Sequence, residues 1–161
     1  MKRRRFVTFA LAAALFGGLG WAALRPGQAH ADGGGDPGGS TYLTTITDSQ
    51  TGAFSSRSVI SFHDGGTISV EDSNQGALSF SSQLGAWEPA GDHGIVARTL
   101  DFSYPPPQGI ARADYTATVQ GAQVSGQIVL RTFPLLGGDP LKGPGTVVGK
   151  FAFVGQRLTA N

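Results

Sequence analysis

The chain reads SVISFHDGGTISV from Ser58 to Val70, and this segment carries the clearest structural pattern of the sequence. In the first half, Ile60 and Phe62 alternate with polar residues. Ile68 and Val70 do the same in the second half, after the triplet Asp-Gly-Gly. Period-two alternation places apolar residues on one face of a β-strand, and Asp-Gly-Gly is typical of a tight turn. The segment therefore predicts an antiparallel hairpin with one apolar face.

The rest of the chain repeats this pattern. Short stretches rich in Val, Ile, Thr, Phe and Tyr are separated by Gly, Pro, Asn and Asp, without an amphipathic helical stretch of useful length. The stretches on either side of Gly85 can form one bent strand, which gives eight strands in all. The predicted strands are 41–47, 56–63, 67–72, 77–84, 85–89, 94–104, 110–120, 123–133 and 145–158.

One apolar face per strand, with no helix to cover it, must pack on another sheet or close on itself. Short turns between consecutive strands favour closure, so we predict an all-β fold, a single antiparallel up-and-down β-barrel of about eight strands. A two-sheet β-sandwich is the alternative, because the longer links at 105–109 and 134–144 could supply its crossovers.

Residues 1–31 are predicted to be an export signal peptide. A basic start precedes an apolar run over residues 6–24, and the triplet AHA at 29–31 forms a small-x-small cleavage site. An uncleaved membrane anchor is the alternative. The triplet RRR at 3–5 resembles a twin-arginine signal, with the general secretory route as the other option. We expect signal peptidase and the export machinery as partners, no stable membrane anchor after cleavage, and a secreted, periplasmic or cell-envelope location.

Cleavage near Ala31 would leave a Gly-rich flexible lead at 32–40 and a barrel domain at 41–161. This product carries seven basic and eleven acidic residues, a net charge of −4. A mildly acidic domain without a polybasic cluster has no electrostatic footprint for nucleic acid. The chain has no Cys, which excludes disulfides, a thiol nucleophile and Cys-based metal sites.

The hairpin 58–70, followed by Gly85-Ala86-Trp87, resembles small secreted bacterial proteins of lipocalin-like (calycin) type, most without an assigned activity. The resemblance implies a β-barrel with an apolar cavity. It carries over no catalytic residue.

Alternation in the strand 94–104 places Arg98 on one side with Val96 and Leu100, and that side is predicted to face the interior. A buried guanidinium needs a partner, which could be a bound anion, Glu88, Asp101 or carbonyl groups at the barrel rim. In the next strand, Arg112 and Asp114 are predicted on a solvated face. The candidate ligand-binding residues are Trp87, Arg98, Phe102, Tyr104 and Tyr115.

His63 and His93 lie beside predicted turns and are interpreted as polar turn residues, because no third ligand with metal-site spacing accompanies them. Nucleotide-binding and serine-hydrolase motifs are also missing, so we expect no cofactor and no assigned catalytic residue. The leading prediction is an exported, non-catalytic barrel that binds a small hydrophobic ligand inside. The alternatives are a cyclase or isomerase that acts by positioning its substrate, and a surface interaction module with a filled core.

Overall fold

The computed structural model describes residues 37–160. These residues form eight strands: β1 (Ser40–Asp48), β2 (Phe54–His63), β3 (Thr67–Asp72), β4 (Gln83–Pro89), β5 (Gly94–Ser103), β6 (Gly109–Gln120), β7 (Gln123–Pro134) and β8 (Thr146–Arg157). A single helical turn, α1 (Gln75–Leu78), lies between β3 and β4. The predicted signal peptide and the first part of the predicted lead lie outside the described residues. The last residues of that lead form a turn into β1, where the Ser40 N–H donates to the Pro37 carbonyl at 2.9 Å.

Each strand pairs antiparallel with the next, and β8 pairs with β1 from Tyr42↔Arg157 to Asp48↔Phe151. The sheet is therefore a closed up-and-down barrel of eight strands. Closure gives every strand two hydrogen-bonded neighbours and removes the free sheet edges. The predicted barrel is confirmed, and the sandwich alternative is wrong.

Alternate residues along the strands face inward and form one apolar core. The apolar faces predicted for the hairpin, Ile60 and Phe62 on β2 and Ile68 and Val70 on β3, are confirmed, since all four side chains are buried. The buried core consists of Tyr42, Ile46, Ile60, Phe62, Ile68, Val70, Ile95, Ala97, Ala113, Tyr115, Ala117, Val119, Val124, Ile128 and Phe153, with Trp87, Leu130 and Phe151 packed against it.

The barrel has two different ends. The aromatic end carries the turns that follow β2, β4 and β6, and the mouth end carries the connections that follow β1, β3, β5 and β7. At the aromatic end, the Phe62 ring packs edge-on against both Tyr42, with ring centroids 6.0 Å apart, and Trp87, at 5.8 Å. The Trp87 Nε1–H donates to the His63 carbonyl at 3.1 Å, and the Arg157 guanidinium lies over the Tyr42 ring. Aromatic side chains therefore fill this end.

The strand predicted at 77–84 is wrong for most of its length. Asp72 and Asn74 turn the chain instead: the Asp72 carboxylate accepts the Asn74 N–H at 2.8 Å, and α1 follows. Ser79 ends α1 in the left-handed region, with φ of 54°. β4 then begins at Gln83 and runs through Gly85 without a break. The interpretation of one strand across Gly85, and hence of eight strands in all, is confirmed.

Glycine is required at Gly85, because a Cβ there would lie 1.8 Å from the Arg98 carbonyl oxygen. β4 and β5 therefore approach each other more closely at this point than any side chain at Gly85 would allow.

The predicted inward face of β5 is inverted. Ile95, Ala97, Thr99 and Asp101 are buried inside, whereas Arg98 and Phe102 are exposed outside. Both faces of this strand carry apolar residues, so alternation alone does not distinguish them. The pairing with β6 distinguishes the two faces, because Ala97 lies directly opposite Tyr115 and Thr99 lies opposite Ala113. Residues opposite each other in an antiparallel pair share a face, so the clear pattern of β6 determines which side of β5 is inside.

Three arginines on the outer wall surround one carboxylate, and we call this group the arginine cluster. The Asp114 carboxylate accepts the Nε–H groups of Arg98 at 2.7 Å, Arg112 at 3.1 Å and Arg131 at 3.2 Å. The Nη1 groups of the same arginines donate to carbonyl oxygens of the β7–β8 loop, namely those of Leu141, Pro140, Gly143 and Pro144, at 2.8–3.0 Å. The cluster therefore fixes this loop against the barrel.

The solvated face predicted for Arg112 and Asp114 needs correction. The β7–β8 loop covers Arg112, which is only 5% exposed, and its guanidinium also lies over the Phe133 ring, 5.2 Å from the centroid. Arg98 does have a structural ion pair, but on the outer wall and with Asp114, not with Glu88 or Asp101. A strand pattern carries no information about a loop that folds back over its outer face.

Replacing Asp114 with Asn should leave three guanidinium groups without their shared anion. We expect Asp114→Asn to lower the free energy of unfolding by about 2 kcal/mol, less than for a fully buried pair because Arg98 and Asp114 are partly exposed. Arg98→Met removes the most exposed of the three ion pairs and should lower the free energy of unfolding by less than about 1 kcal/mol. Urea denaturation of both variants measures these values. Equal losses would contradict a central role for Asp114.

Candidate functional site

A cavity of about 130 Å³ opens at the mouth end, and we call it the mouth cavity. Its floor consists of inward-facing side chains of the strands, and the connection between β3 and β4 forms part of its edge. It is lined by Ile46, Ser55, Ser56, Ser58, Val70, Asp72, Asn74, Leu78, Phe80, Gln83, Ala113, Tyr115, Ile128, Leu130 and Phe151.

The volume limits what the mouth cavity can enclose. Apolar cavities of about 150 Å³ hold a molecule the size of benzene, whereas sites for drug-sized ligands occupy roughly 300–1,000 Å³. The mouth cavity, at about 130 Å³, belongs to the first class. A longer molecule would have to extend out of the barrel.

Asp72 is the main polar group of the cavity wall. It is the last residue of β3, and alternation places it inward with Ile68 and Val70. Its carboxylate accepts the Ser56 hydroxyl at 2.8 Å and also the Ser58 hydroxyl. The turn into α1 holds the same carboxylate in place through the Asn74 N–H.

A second polar group is centred on Gln83, the first residue of β4. Its Oε1 accepts the Tyr115 hydroxyl at 2.8 Å and the Thr99 hydroxyl at 2.9 Å. Burial raises the pKa of Tyr115, the nearby Thr99 hydroxyl opposes this in part, and the charges of Asp101 and Asp72 raise the pKa further. The Tyr115 hydroxyl is therefore neutral and serves as a hydrogen-bonding group.

Asp101, on the inner face of β5, is a third inward-facing polar group, although it does not line the mouth cavity itself. It is 5% exposed, and its Oδ1 accepts no hydrogen bond from the part of the chain that the structure describes. Burial raises the pKa of Asp101 from 3.8 to about 6, because removing the carboxylate from water disfavours its charged form. Asp101 is therefore a buried carboxyl group that changes charge near neutral pH.

Ten large apolar side chains of the mouth-end connections and the adjoining strand segments are exposed, and we call them the apolar rim. They come from the ends of strands and from three of the connections there. The rim consists of Phe54, Leu78, Leu84, Phe102, Tyr104, Leu135, Leu136, Leu141, Val147 and Val148, each at least 43% exposed. Side chains of this kind are available for contact with a partner.

Three of the five predicted ligand-binding residues, Trp87, Arg98 and Tyr115, line a second cavity of about 550 Å³ on β4–β6, whereas Phe102 and Tyr104 do not. Tyr115 lines the mouth cavity, as expected of an interior residue. Trp87 also faces inward but packs on Phe62 at the aromatic end. Arg98, Phe102 and Tyr104 were predicted inside and lie outside, with Phe102 52% and Tyr104 55% exposed. No observation tests a ligand-binding role for any of the five, and that role stays a prediction.

Sequence reasoning missed Asp72, Gln83 and Asp101. Alternation could have found Asp72, because it continues the inward side of Ile68 and Val70. A carboxylate before Ser-Asn looks like an ordinary turn residue, which hides this signal. Gln83 was placed in the predicted strand 77–84, most of which does not form. Asp101 was placed on the outer face of β5, which is in fact its inner face.

The histidines and acidic residues do not assemble a metal site in residues 37–160, where no group of three or more potential ligands occurs. His63 contacts the Ser69 hydroxyl through Nε2 at 3.0 Å, and His93 lies exposed in the turn before β5. The same residues contain no helix that is long and apolar enough to span a membrane.

No protein-family model, curated protein or solved structure matches this chain. The closed barrel of eight antiparallel strands is consistent with a calycin-like fold. A lipocalin relationship stays a prediction.

The buried carboxyl group of Asp101 should make stability depend on pH. Between the usual pKa of 3.8 and the folded pKa of about 6, the folded chain holds a proton that the unfolded chain has released. The free energy of unfolding should therefore fall as pH rises through this window, by about 3 kcal/mol in total. Urea denaturation across this range should show the fall in the parent chain and not in Asp101→Asn.

Asp92→Asn is the matched control, because Asp92 lies exposed in the turn before β5. It should retain the pH dependence of the parent chain. A parent-like slope in Asp101→Asn would contradict the assignment.

Proposed function

We propose that this protein is a non-catalytic binding protein that takes a small, largely apolar molecule into the mouth cavity. The single observation that supports this proposal is a cavity of about 130 Å³ that opens from the barrel interior and combines apolar walls with a few polar groups. Binding sites for small molecules have this composition. Ligands of about six non-hydrogen atoms reach dissociation constants on the order of micromolar to millimolar.

Ala113→Leu provides the test. Ala113 is buried on the inner face of β6 and lines the mouth cavity, so the larger side chain should fill the space that a ligand would occupy. Titration with 1-pentanol, followed by NMR chemical shifts, should give saturable shifts around Tyr115 in the parent chain and none in Ala113→Leu. Stability should change little, because the added atoms enter existing space.

Thr116→Leu is the control for this test, since Thr116 is exposed on the outer face of the same strand. It should bind 1-pentanol like the parent chain. The absence of saturable binding in the parent chain would contradict the proposal.

The apolar rim favours a second candidate, a surface interaction module. In that case, apolar probes bind at the exposed side chains of the rim and not in the cavity. Binding that persists in Ala113→Leu and disappears in Leu136→Asp would identify the rim as the site, because Leu136 is 88% exposed and does not line the cavity.

A cyclase or isomerase finds less support. Arg98, the one cation among the candidate ligand-binding residues, lies on the outer wall, bonded to Asp114 and the Leu141 carbonyl. Within residues 37–160, no guanidinium lines the mouth cavity for a substrate to contact.

We also propose that the chain is exported and cleaved near Ala31, which rests on the sequence pattern of residues 1–31 alone. Mass spectrometry of the protein from the cell envelope or medium should give Asp32 as its first residue. Replacing Arg3 and Arg4 with Lys should block export by the twin-arginine route, since that route reads this pair. Unchanged export would indicate the general secretory route, and retention of residues 1–31 would contradict cleavage.

A further inference from the structure

The hydroxyl groups of the mouth cavity use their protons within its wall. The hydroxyls of Ser56 and Ser58 both donate to Asp72, and the Tyr115 hydroxyl donates to Gln83 Oε1. A hydroxyl has one proton, so each of these groups has only lone pairs left to offer a ligand. The Asp72 carboxylate is also purely an acceptor when it is ionised. This part of the wall therefore favours a ligand that donates hydrogen bonds.

The carboxyl groups in and near the cavity also favour a ligand that donates hydrogen bonds. Asp72 accepts hydrogen bonds from two hydroxyls and a backbone N–H, none of which carries a positive charge. Asp101 adds a second carboxyl group, buried and with one oxygen unpartnered within residues 37–160. Both act electrostatically on the hydroxyl of Tyr115, whose side chain lines the cavity.

No basic side chain of the described residues lines the mouth cavity to offset these carboxyl groups. Arg57, between Ser56 and Ser58, is exposed on the outer face of β2. Arg98 and Arg112 lie on the outer faces of β5 and β6 and bind Asp114 and the β7–β8 loop. An anionic ligand would therefore meet like charge without compensation, whereas a cation would supply the missing opposite charge.

We propose that the ligand of the mouth cavity is a small protonated amine, with its ammonium group at Asp72 and its hydrocarbon part against the apolar wall. This inference rests on the proposed binding function and specifies its ligand class. An ammonium group has three donors and no acceptor, which matches a wall that presents acceptors and carboxylates. Leu130, Ile128 and Phe151 provide the apolar contact surface.

The test compares pentylamine, 1-pentanol and pentanoate, three probes of similar length that differ in the charge of the head group. Titrations near neutral pH, followed by NMR chemical shifts, should show pentylamine binding about tenfold more tightly than 1-pentanol, which is the effect of one charge-assisted hydrogen bond. Pentanoate should bind most weakly. Asp72→Asn should reduce the preference for pentylamine to about that of the neutral alcohol.

Asp92→Asn is the control, because it removes the same charge from an exposed turn. It should keep the preference for pentylamine. Asp101→Asn is a second interior variant and should reduce the preference in part, which keeps the test decisive if Asp72→Asn does not fold.

The outcomes separate the two proposals. Equal binding of pentylamine and 1-pentanol, or tightest binding of pentanoate, would overturn the amine inference and leave the binding function standing. Failure of all three probes to bind would overturn the binding function itself.

Discussion

The pairing of β8 with β1 is the constraint on which the rest of the structure depends. It runs over seven residue pairs, from Tyr42↔Arg157 to Asp48↔Phe151, and converts an open sheet into a closed one. Without it, β1 and β8 would present unpaired N–H and carbonyl groups, and the apolar faces of all eight strands would lack a common interior. Closure brings Ile46 of β1 and Phe151 of β8 to the same cavity wall. The mouth cavity exists only because the first and the last strand pair.

The two ends of this barrel differ in how their interior is filled. Large rings occupy the aromatic end, where Tyr42 and Phe62 are almost completely buried. At the mouth end the inward positions carry smaller or polar side chains, among them Ser56, Ser58 and Ala113, and the space they leave is open to solvent. A barrel of eight strands has an interior that side chains can just fill, so a local change from large to small residues is enough to create a site.

Much of the fold could be predicted from the sequence, because most strands alternate cleanly and short turns join them. The bounds of β2 and β3, the single strand through Gly85 and the inward face of β6 all follow from local patterns. β5 could not be assigned in this way, since Ile95 inside and Phe102 outside give it two partly apolar faces. The candidate site was harder to predict, because Asp72 and Gln83 lie on different strands and line one cavity only through the register of the closed sheet. Arg112 shows a further limit: its burial comes from a loop more than 20 residues away in sequence, with hydrogen bonds from Arg112 to Pro140 and Gly143.

The arginine cluster determines which side chains of the β7–β8 loop can be substituted without loss of the loop's attachment to the barrel. The arginines donate hydrogen bonds to main-chain carbonyl oxygens of the β7–β8 loop, those of Pro140, Leu141, Gly143 and Pro144. Main-chain carbonyl oxygens are present whichever side chains the loop carries. The exposed side chains of Leu136 and Leu141 take no part in these hydrogen bonds. The attachment of the loop therefore does not depend on which side chains stand at positions such as Leu136 and Leu141. Substitutions there can change the surface of the loop while the barrel keeps its architecture.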